Sequence, residues 1–355
     1  MPNTIIIGSG SYLPNRVIGR DYFKDTVFYT DEGEKIEKPA EEIISKFVEI
    51  TEIENRRYIE DEQSNSQIGY EAAKAAIEDS KIDPEELDYI IYASNFGDVT
   101  IHGYMNFMPN MAARVKNKLG IKNRKCITYD MIFGCPGWVE AMILADNLIK
   151  AKAAKTILVI GGETLSRVTD PYDRNKMIFA DGAGAVVVKA TDNENVGIIS
   201  HSTICDNSVE LNYLENNSSI NKDEDQKRLY VRMQGRKIYE YALKNVPVAI
   251  KETIDNAGLS LTDIDKILIH QANAKMDYAM IERLHKLYDI KEYDHAISPM
   301  TIQEFGNSSV ATIPTMFDLI IKGKMEGQSF KDKGNVVMTS VGAGMNINAI
   351  VYRFP

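Results

Sequence analysis

Apolar residues in this chain fall into two alternating kinds of run. Short β-branched stretches such as "NTIIIGSGSYLP", "LDYIIYASNF", "KCITYDMIF", "KTILVIGGE" and "GAGAVVVKA" have the length and composition of buried strands. Between them, apolar residues recur three and four apart. In "SQIGYEAAKAAIEDS", residues 66–80, Ile68, Ala72, Ala76 and Ile77 share one helical face. "NMAARVKNKLGI" reads as a helix that Gly120 closes, and "PGWVEAMILADNLIKAKA" as another. Strands alternating with helices predict an α/β protein of parallel sheets covered by helices.

The pattern also repeats. "YEYALKNVPVAIKETIDNAGLSLTDIDKILIHQAN" parallels "IGYEAAKAAIEDSKIDPEELDYIIYASNF", each a long helix leading through an acidic turn into a β run. "NVVMTSVGAGMNINAIVYRF" parallels "KTILVIGGE" through "GAGAVVVKA". Two related halves are therefore expected, 1–192 and 193–355. Two polar, turn-rich stretches, 23–42 and 215–227, read as surface insertions, as solvated loops ahead of substrate lids.

Composition narrows the function classes. The chain has 355 residues, 44% hydrophobic and 26% charged, ordinary values for a globular protein. A formal net charge of −10 argues against nucleic-acid binding, which needs a basic face. The three cysteines, Cys126, Cys135 and Cys205, form no CxxC, so neither a disulfide framework nor a metal site is expected. The first residues lack a basic n-region and no apolar run reaches the ~20 residues of a membrane span. A reduced, cytoplasmic protein is the expectation.

Candidate chemistry starts at "DMIFGCPGWVEAMILADNLI", where a strand pattern gives way to a helix. Pro136 suits the first helical position, which makes Cys135 the N-cap. There the helix dipole favours a thiolate, so a lowered thiol pKa is expected. Position alone supports a buried structural cysteine equally well. Cys126 sits inside a strand pattern and reads as core; Cys205 has no chemical context. Of the histidines, His270 ends the β run "DKILIHQAN", where functional groups of α/β folds collect. His285 reads as exposed on a helix, and His102, His201 and His295 lie in weak contexts. In "QEFGNSSVATIP", Asn307 follows a glycine, either as a turn residue or as an amide donor to an oxygen.

"GCPGW", "HQAN" and "FGNSSVATIP", in this order, resemble the Cys-His-Asn condensing enzymes of the thiolase superfamily, and most of all the β-ketoacyl-acyl-carrier-protein synthase III type. "IIIGSGSYLP", "NRRYIEDEQS", "DPYDRNKMIFADGAGAVVV" and "VGAGMNINAIVYRF" extend the resemblance over nearly the whole chain. It implies a thiolase-like five-layer αβαβα fold of two pseudo-repeated halves, in a homodimer without a resident cofactor. Cys135 would take an acyl group from an acyl-CoA or acyl-carrier thioester. A malonyl- or β-ketoacyl-carrier thioester would then lose CO₂ and attack the acyl-enzyme, in fatty acid initiation or related lipid or polyketide synthesis. His270 and Asn307 would hold the carbonyl of that second substrate. The Cys135 amide, with one from Gly342–Gly344 (Gly342 and Gly344 being the candidates), would form the other oxyanion hole.

The same resemblance marks departures. An adenine-gripping tryptophan and arginine are usual where Lys46 and Ile50 stand here. Arg174 matches a family coenzyme A contact, Lys275 stands where an arginine is common, and Trp138 beside the nucleophile is the third candidate substrate contact. "GCPGW" is also similar to enzymes that join two acyl chains into dialkylresorcinol- or flexirubin-type products. Docking of an acidic carrier protein would need local cations, and Arg232, Arg236, Lys237 and Lys275 are the candidates, with Arg283 and Lys286 further along the helix after "HQAN".

Three rivals remain. A dinucleotide enzyme would read "GSGSYL" as its phosphate loop, but the third glycine is missing and Pro14 intrudes. A cysteine hydrolase or transacylase would share the acyl-enzyme step without condensing. A non-catalytic partner subunit would have no need of Cys135, His270 and Asn307 together.

Overall fold

The computed structural model describes all residues, Met1–Pro355. Two sheets dominate it. The first is built from β1 (Asn3–Tyr12), β2 (Tyr89–Ala93), β3 (Ile127–Met131), β4 (Thr156–Thr164) and β5 (Asp181–Thr191), in the order β1-β5-β4-β2-β3. The second holds β6 (Gly197–Cys205), then, past a small hairpin of β7 (Leu214–Asn217) and β8 (Tyr230–Met233), β9 (Ile264–Ile269), β10 (Asn335–Gly342) and β11 (Asn346–Arg353), in the order β6-β11-β10-β9. The two orders superpose: β1 answers to β6, β5 to β11, β4 to β10 and β2 to β9, with β3 extra.

Both sheets are mixed, which corrects the expectation of parallel ones. β2 runs parallel to β3 and β4, and β9 parallel to β10. β5 and β11 return antiparallel to their neighbours. In the second sheet the cause is the connection: only three residues separate β10 from β11, so the chain doubles back instead of crossing over.

Helices supply three more layers. They are α1 (Ala40–Thr51), α2 (Asn65–Ser80), α3 (Met111–Lys118), α4 (Gly137–Lys150), α5 (Gly235–Asn256), α6 (Ala274–Leu287), the single turn α7 (Ile302–Phe305) and α8 (Thr312–Ile321). Period-two alternation along β4 shows the layering. Leu158 and Ile160 face a core shared with α2 and α3, whereas Ile157 and Val159 face one shared with α4 and α8. That second core also takes Leu268, Val336, Met338 and Ile350 from the second sheet. The other face of the second sheet packs on α5 and α6 through Ile267, Ile269, Val337 and Val351. The order is therefore α2/α3, sheet, α4/α8, sheet, α5/α6, the five-layer αβαβα arrangement. The middle helices touch a sheet on each side, and α8 is buried from Thr312 to Ile320.

The insertions are not loose loops. Phe23 and Phe28 of the first are buried, and it opens into α1. The second forms the β7–β8 hairpin and buries Ile220, whose N–H donates to the Asp170 carboxylate at 2.6 Å. Their polar composition hid these few apolar anchors.

The glycines of "GSGSYL" serve packing. A Cβ on Gly10 would lie 2.4 Å from the Ala72 carbonyl oxygen and one on Gly8 2.5 Å from that of Ala76, so α2 rests directly on the β1 backbone. Gly10→Ala is expected to destabilise the fold by about 1–3 kcal/mol, the usual cost of overpacking, read from the denaturation midpoint.

Candidate active site

Cys135 lies between β3 and α4. The helix begins at Gly137 with Pro136 as its flanking residue, so Cys135 stands one position further out than the N-cap expected. Gly134 turns the chain at φ 68°, and its missing Cβ would meet the Ala343 amide nitrogen at 2.7 Å. A Cβ on Gly342 would fall 2.5 Å from the Cys135 nitrogen. The β10–β11 turn of the second half thus presses against the nucleophile's own backbone. Gly344, expected beside the thiol, turns instead toward Asn207 and Asn346, and it is Ala343 that lines the cavity at Cys135. The glycine pattern drew attention to its neighbours and away from Ala343.

His270 follows β9 and extends its ladder by one bond, its N–H donating to the Thr339 carbonyl at 2.9 Å. Asn307 is held by its backbone against the first half. Its N–H donates to the Ile178 carbonyl at 2.9 Å, and its carbonyl accepts from the Ala180 N–H at 2.8 Å. Gly306 before it holds φ 67°, with the Arg56 Cβ 2.8 Å from where a side chain would begin. Both His270 and Asn307 are buried. Ser309, which sequence reasoning passed over as one of several small residues, joins Asn307 to the pocket at Cys135. Its N–H donates to Asn307 Oδ1 at 2.8 Å and it lines the same cavity as Cys135, while the His270 Nδ1 has no hydrogen-bond partner.

Electrostatically the site is a neutral one. Burial pushes the Cys135 thiol up to about 11, against the Ser309 hydrogen bond and the residue's own amide, which pull it down. This reverses the lowered value expected from the helix dipole: desolvation of the anion outweighs it. Burial likewise takes His270 down to about 4, so the ring is uncharged at neutral pH. Glu163 of β4, also buried, is pushed up to about 8, and its Oε2 has no partner.

Two cavities are notable, of which the inner one holds Cys135. A cleft of about 600 Å³ is lined by Lys46, Ile50, Arg174, Tyr239 and Asn273 among others, between α1, α5 and the start of α6. An inner pocket of about 190 Å³ holds Cys135 and Ser309 with Phe96, Leu165, Phe179, Leu214 and Val231. Lys46, Ile50 and Arg174 thus line one cleft together. Trp138 does not touch either cavity; it is buried among the middle-layer apolar residues because the third residue of this exposed-looking motif faces the core. Of the candidate docking cations, Arg232 is committed within the fold, to the Ser218 carbonyl and Asp173. Arg236 pairs with Glu240 and Lys237 lies over the Tyr213 ring. Lys275 is exposed in the first turn of α6 and outside both cavities. His285 is buried, not exposed, stacked 3.7 Å from Tyr293 with Nδ1 2.8 Å from the Ile281 carbonyl. No cluster of His, Cys, Asp or Glu is arranged to hold a metal.

Two repeated halves stacked in five layers, with a thiol of the first facing an imidazole and a carboxamide of the second, define the thiolase-fold condensing enzymes, which are acyltransferases. Residues 129–207 match the family model described as 3-oxoacyl-[acyl-carrier-protein (ACP)] synthase III, and residues 254–354 match its C-terminal counterpart. The chain is 33% identical to a β-ketoacyl-[acyl-carrier-protein] synthase III of Staphylococcus haemolyticus, over 99% of both chains. It is 32% identical to one of Clostridium acetobutylicum, covering 100% of this chain and 99% of the other. A solved 3-oxoacyl-[acyl-carrier-protein] synthase III from Aquifex aeolicus superposes with a TM-score of 0.80 at 29% identity, covering 99% of this chain and 100% of that one. The protein belongs to the β-ketoacyl-acyl-carrier-protein synthase III family and is a condensing acyltransferase. The two-chain-joining alternative is not favoured, since the matching family models and the relatives just named are of the synthase III type.

Because the resting thiol is neutral, alkylation of Cys135 by iodoacetamide is expected to accelerate about tenfold per pH unit from pH 7 toward 10, as the thiolate fraction does. A profile that levels off near pH 8 would contradict the raised thiol pKa; quenched-flow mass spectrometry measures it.

Proposed function

We propose that the protein starts a carbon chain by decarboxylative condensation. An acyl-CoA or acyl-carrier thioester reaches Cys135 through the 600 Å³ cleft. The thiol adds to the thioester carbonyl, the donor thiol leaves with the proton, and the acyl group stays on sulfur. The observation that carries this reading is an uncharged, half-buried Cys135 lining a small apolar pocket whose Ser309 holds the Asn307 amide, with a buried, uncharged His270 at the end of β9.

In the second half-reaction a malonyl-carrier thioester takes the place of the first donor. His270 and Asn307 donate to its carbonyl oxygen. As the bond to CO₂ breaks, that oxygen becomes an enolate, and donors fixed by the fold stabilise it without reorganising. The enolate carbon attacks the acyl carbon, the bond to Cys135 breaks, and the departing thiolate takes a proton from water. A neutral imidazole suits this role, since it can donate while bringing no charge of its own. The Cys135 amide and the 342–343 backbone are the donors for the acyl oxygen; the contact of Gly342 with the Cys135 nitrogen supports that assignment. The inner pocket of about 190 Å³ favours short acyl groups.

The cations free to meet a phosphate are Lys46 and Arg174, both exposed at the cleft and without an ion pair. Lys275 is exposed on the helix that follows His270 and supports carrier docking there. β3 is an unpaired sheet edge carrying exposed Ile127 and Tyr129, followed by exposed Ile132 of the inner pocket, which supports a homodimer formed along that edge. No helix is long and apolar enough to cross a membrane, and we place the protein's work in the cytoplasm.

Cys135→Ala is expected to form no adduct with any acyl donor by intact-mass spectrometry. His270→Ala and Asn307→Ala are expected to acylate but to lose condensation by roughly a hundred- to a thousandfold each, the cost of one such donor. If His270→Ala fails to acylate, the ring is instead the base for the thiol. Arg174→Glu is expected to raise KM for coenzyme A and carrier donors about tenfold while leaving KM for a small N-acetylcysteamine thioester unchanged. Tyr129→Glu is expected to yield monomers in sedimentation equilibrium.

A further inference from the structure

β11 carries one residue at odds with its surroundings. Alternation along the strand sends Ile350 and Tyr352 into the core shared with α4 and α8, and Asn348 falls on the same face, completely buried. An amide in such a place costs stability unless its polar atoms are bonded. We propose that Asn348 is a positioning residue, which fixes the turn that carries the Cys135 nucleophile by holding the Pro136 carbonyl. The inference deepens the condensing reading above and rests on it for its kinetic arm.

Two side-chain hydrogen bonds carry it. Asn348 Nδ2 donates to the Pro136 carbonyl at 3.0 Å and to Glu140 Oε2 at 3.2 Å. Both partners are oxygens, so the nitrogen end must face them; a flipped amide would set oxygen against oxygen. Glu140, in the first turn of α4, is itself held by Thr203 Oγ1 of β6, which donates to the same oxygen at 2.7 Å. Asn348 Oδ1, by contrast, is buried with no partner. An orphaned acceptor is a net cost to folding, so the packing of β11 gives no reason for the amide. The turn that it holds does.

That turn has little other freedom. The Pro136 carbonyl also accepts the Glu140 N–H at 2.9 Å, an opening bond of α4. The proline ring holds φ at −67° and disfavours helical backbone at Cys135 before it. On the other side, a Cβ on Gly342 would lie 2.5 Å from the Cys135 nitrogen and 2.7 Å from Pro136 Cδ. With β10 against its amide and β11 bonded to the next carbonyl, the Cys135 N–H keeps one direction. This N–H is the donor assigned above to the acyl oxygen, where negative charge develops as the thiol adds to a thioester. A turn that drifts therefore slows acyl transfer. Decarboxylation of a malonyl thioester depends on His270 and Asn307, to which the Asn348 side chain makes no hydrogen bond.

The test compares Asn348→Leu, which keeps the volume and removes both donors, with Asn348→Ala, which removes them without new bulk and serves if the leucine packs poorly. Acylation of Cys135 by an acyl-CoA is expected to fall about tenfold in both, through its rate constant and with KM unchanged, as loss of one hydrogen bond implies. Decarboxylation of a malonyl thioester, measured without an acyl donor, is expected to hold its rate. Hydrogen exchange across residues 137–140 of the free protein is expected to quicken several fold, because the Glu140 N–H is bonded to the carbonyl that Asn348 releases. The exchange needs no substrate. If no donor acylates even the unsubstituted protein, the condensing reading fails and the exchange alone decides this one. Unmoved exchange in both variants overturns the proposal. Unmoved acylation overturns it too, and so does an equal loss of acylation and decarboxylation, which is what a purely structural residue would give.

Discussion

Two backbone hydrogen bonds hold the site together: Asn307 N–H to the Ile178 carbonyl, and Ala180 N–H to the Asn307 carbonyl. They stitch a turn of the second half to the strand entry of the first, directly beside β5. Everything functional hangs from that seam. Gly306 must turn against Arg56 to reach it, Ser309 must adopt a left-handed backbone to leave it, and α8 then runs back between the sheets. The nucleophile is fixed from the opposite direction by Gly342 of the second half pressing on its amide. Neither half contains a site alone. The duplication supplies two similar sheets, and the chemistry lies in the places where one half's turn is inserted into the other's.

Desolvation governs what this seam can do. Stacking two sheets over shared helices removes water from the strand ends, so the thiol, the imidazole and the Glu163 carboxyl all drift toward their uncharged forms. That suits a reaction whose charge appears on an oxygen in transit and disappears again. Donors already in place, in a medium with little water to compete, are worth more to that transient charge than a permanent ion would be.

Much of this could be read from the residues. The spacing of Ile68, Ala72, Ala76 and Ile77 located α2, and the internal likeness of the two halves anticipated the matching strand orders. Position alone left Cys135 equally a structural cysteine and Asn307 equally a turn residue; it was the likeness of "GCPGW", "HQAN" and "FGNSSVATIP" to the condensing enzymes that singled out Cys135, His270 and Asn307. What was not legible depends on neighbours distant in sequence. The antiparallel return of β5 and β11 onto their neighbours is revealed only by tertiary pairing, in the second sheet through a three-residue turn. The direction of the Cys135 shift depends on how much protein covers the thiol, which a helix start does not tell. Trp138 looked like a site residue because it follows the nucleophile closely, but a helix turns about 100° per residue, and that step points it inward. Ser309 carried no signal at all, since what it contributes, an N–H to Asn307 Oδ1, comes from its backbone. The insertions misled for a similar reason: two buried phenylalanines and one isoleucine anchor segments that are polar on average.

The protonated thiol has a consequence beyond turnover. Peroxides and other oxidants attack the thiolate. Cys135 is only half-buried and lines an open pocket, so what spares it between substrates is the scarcity of its anion. The same desolvation that delays the first step of the reaction therefore slows oxidation of the cysteine at rest.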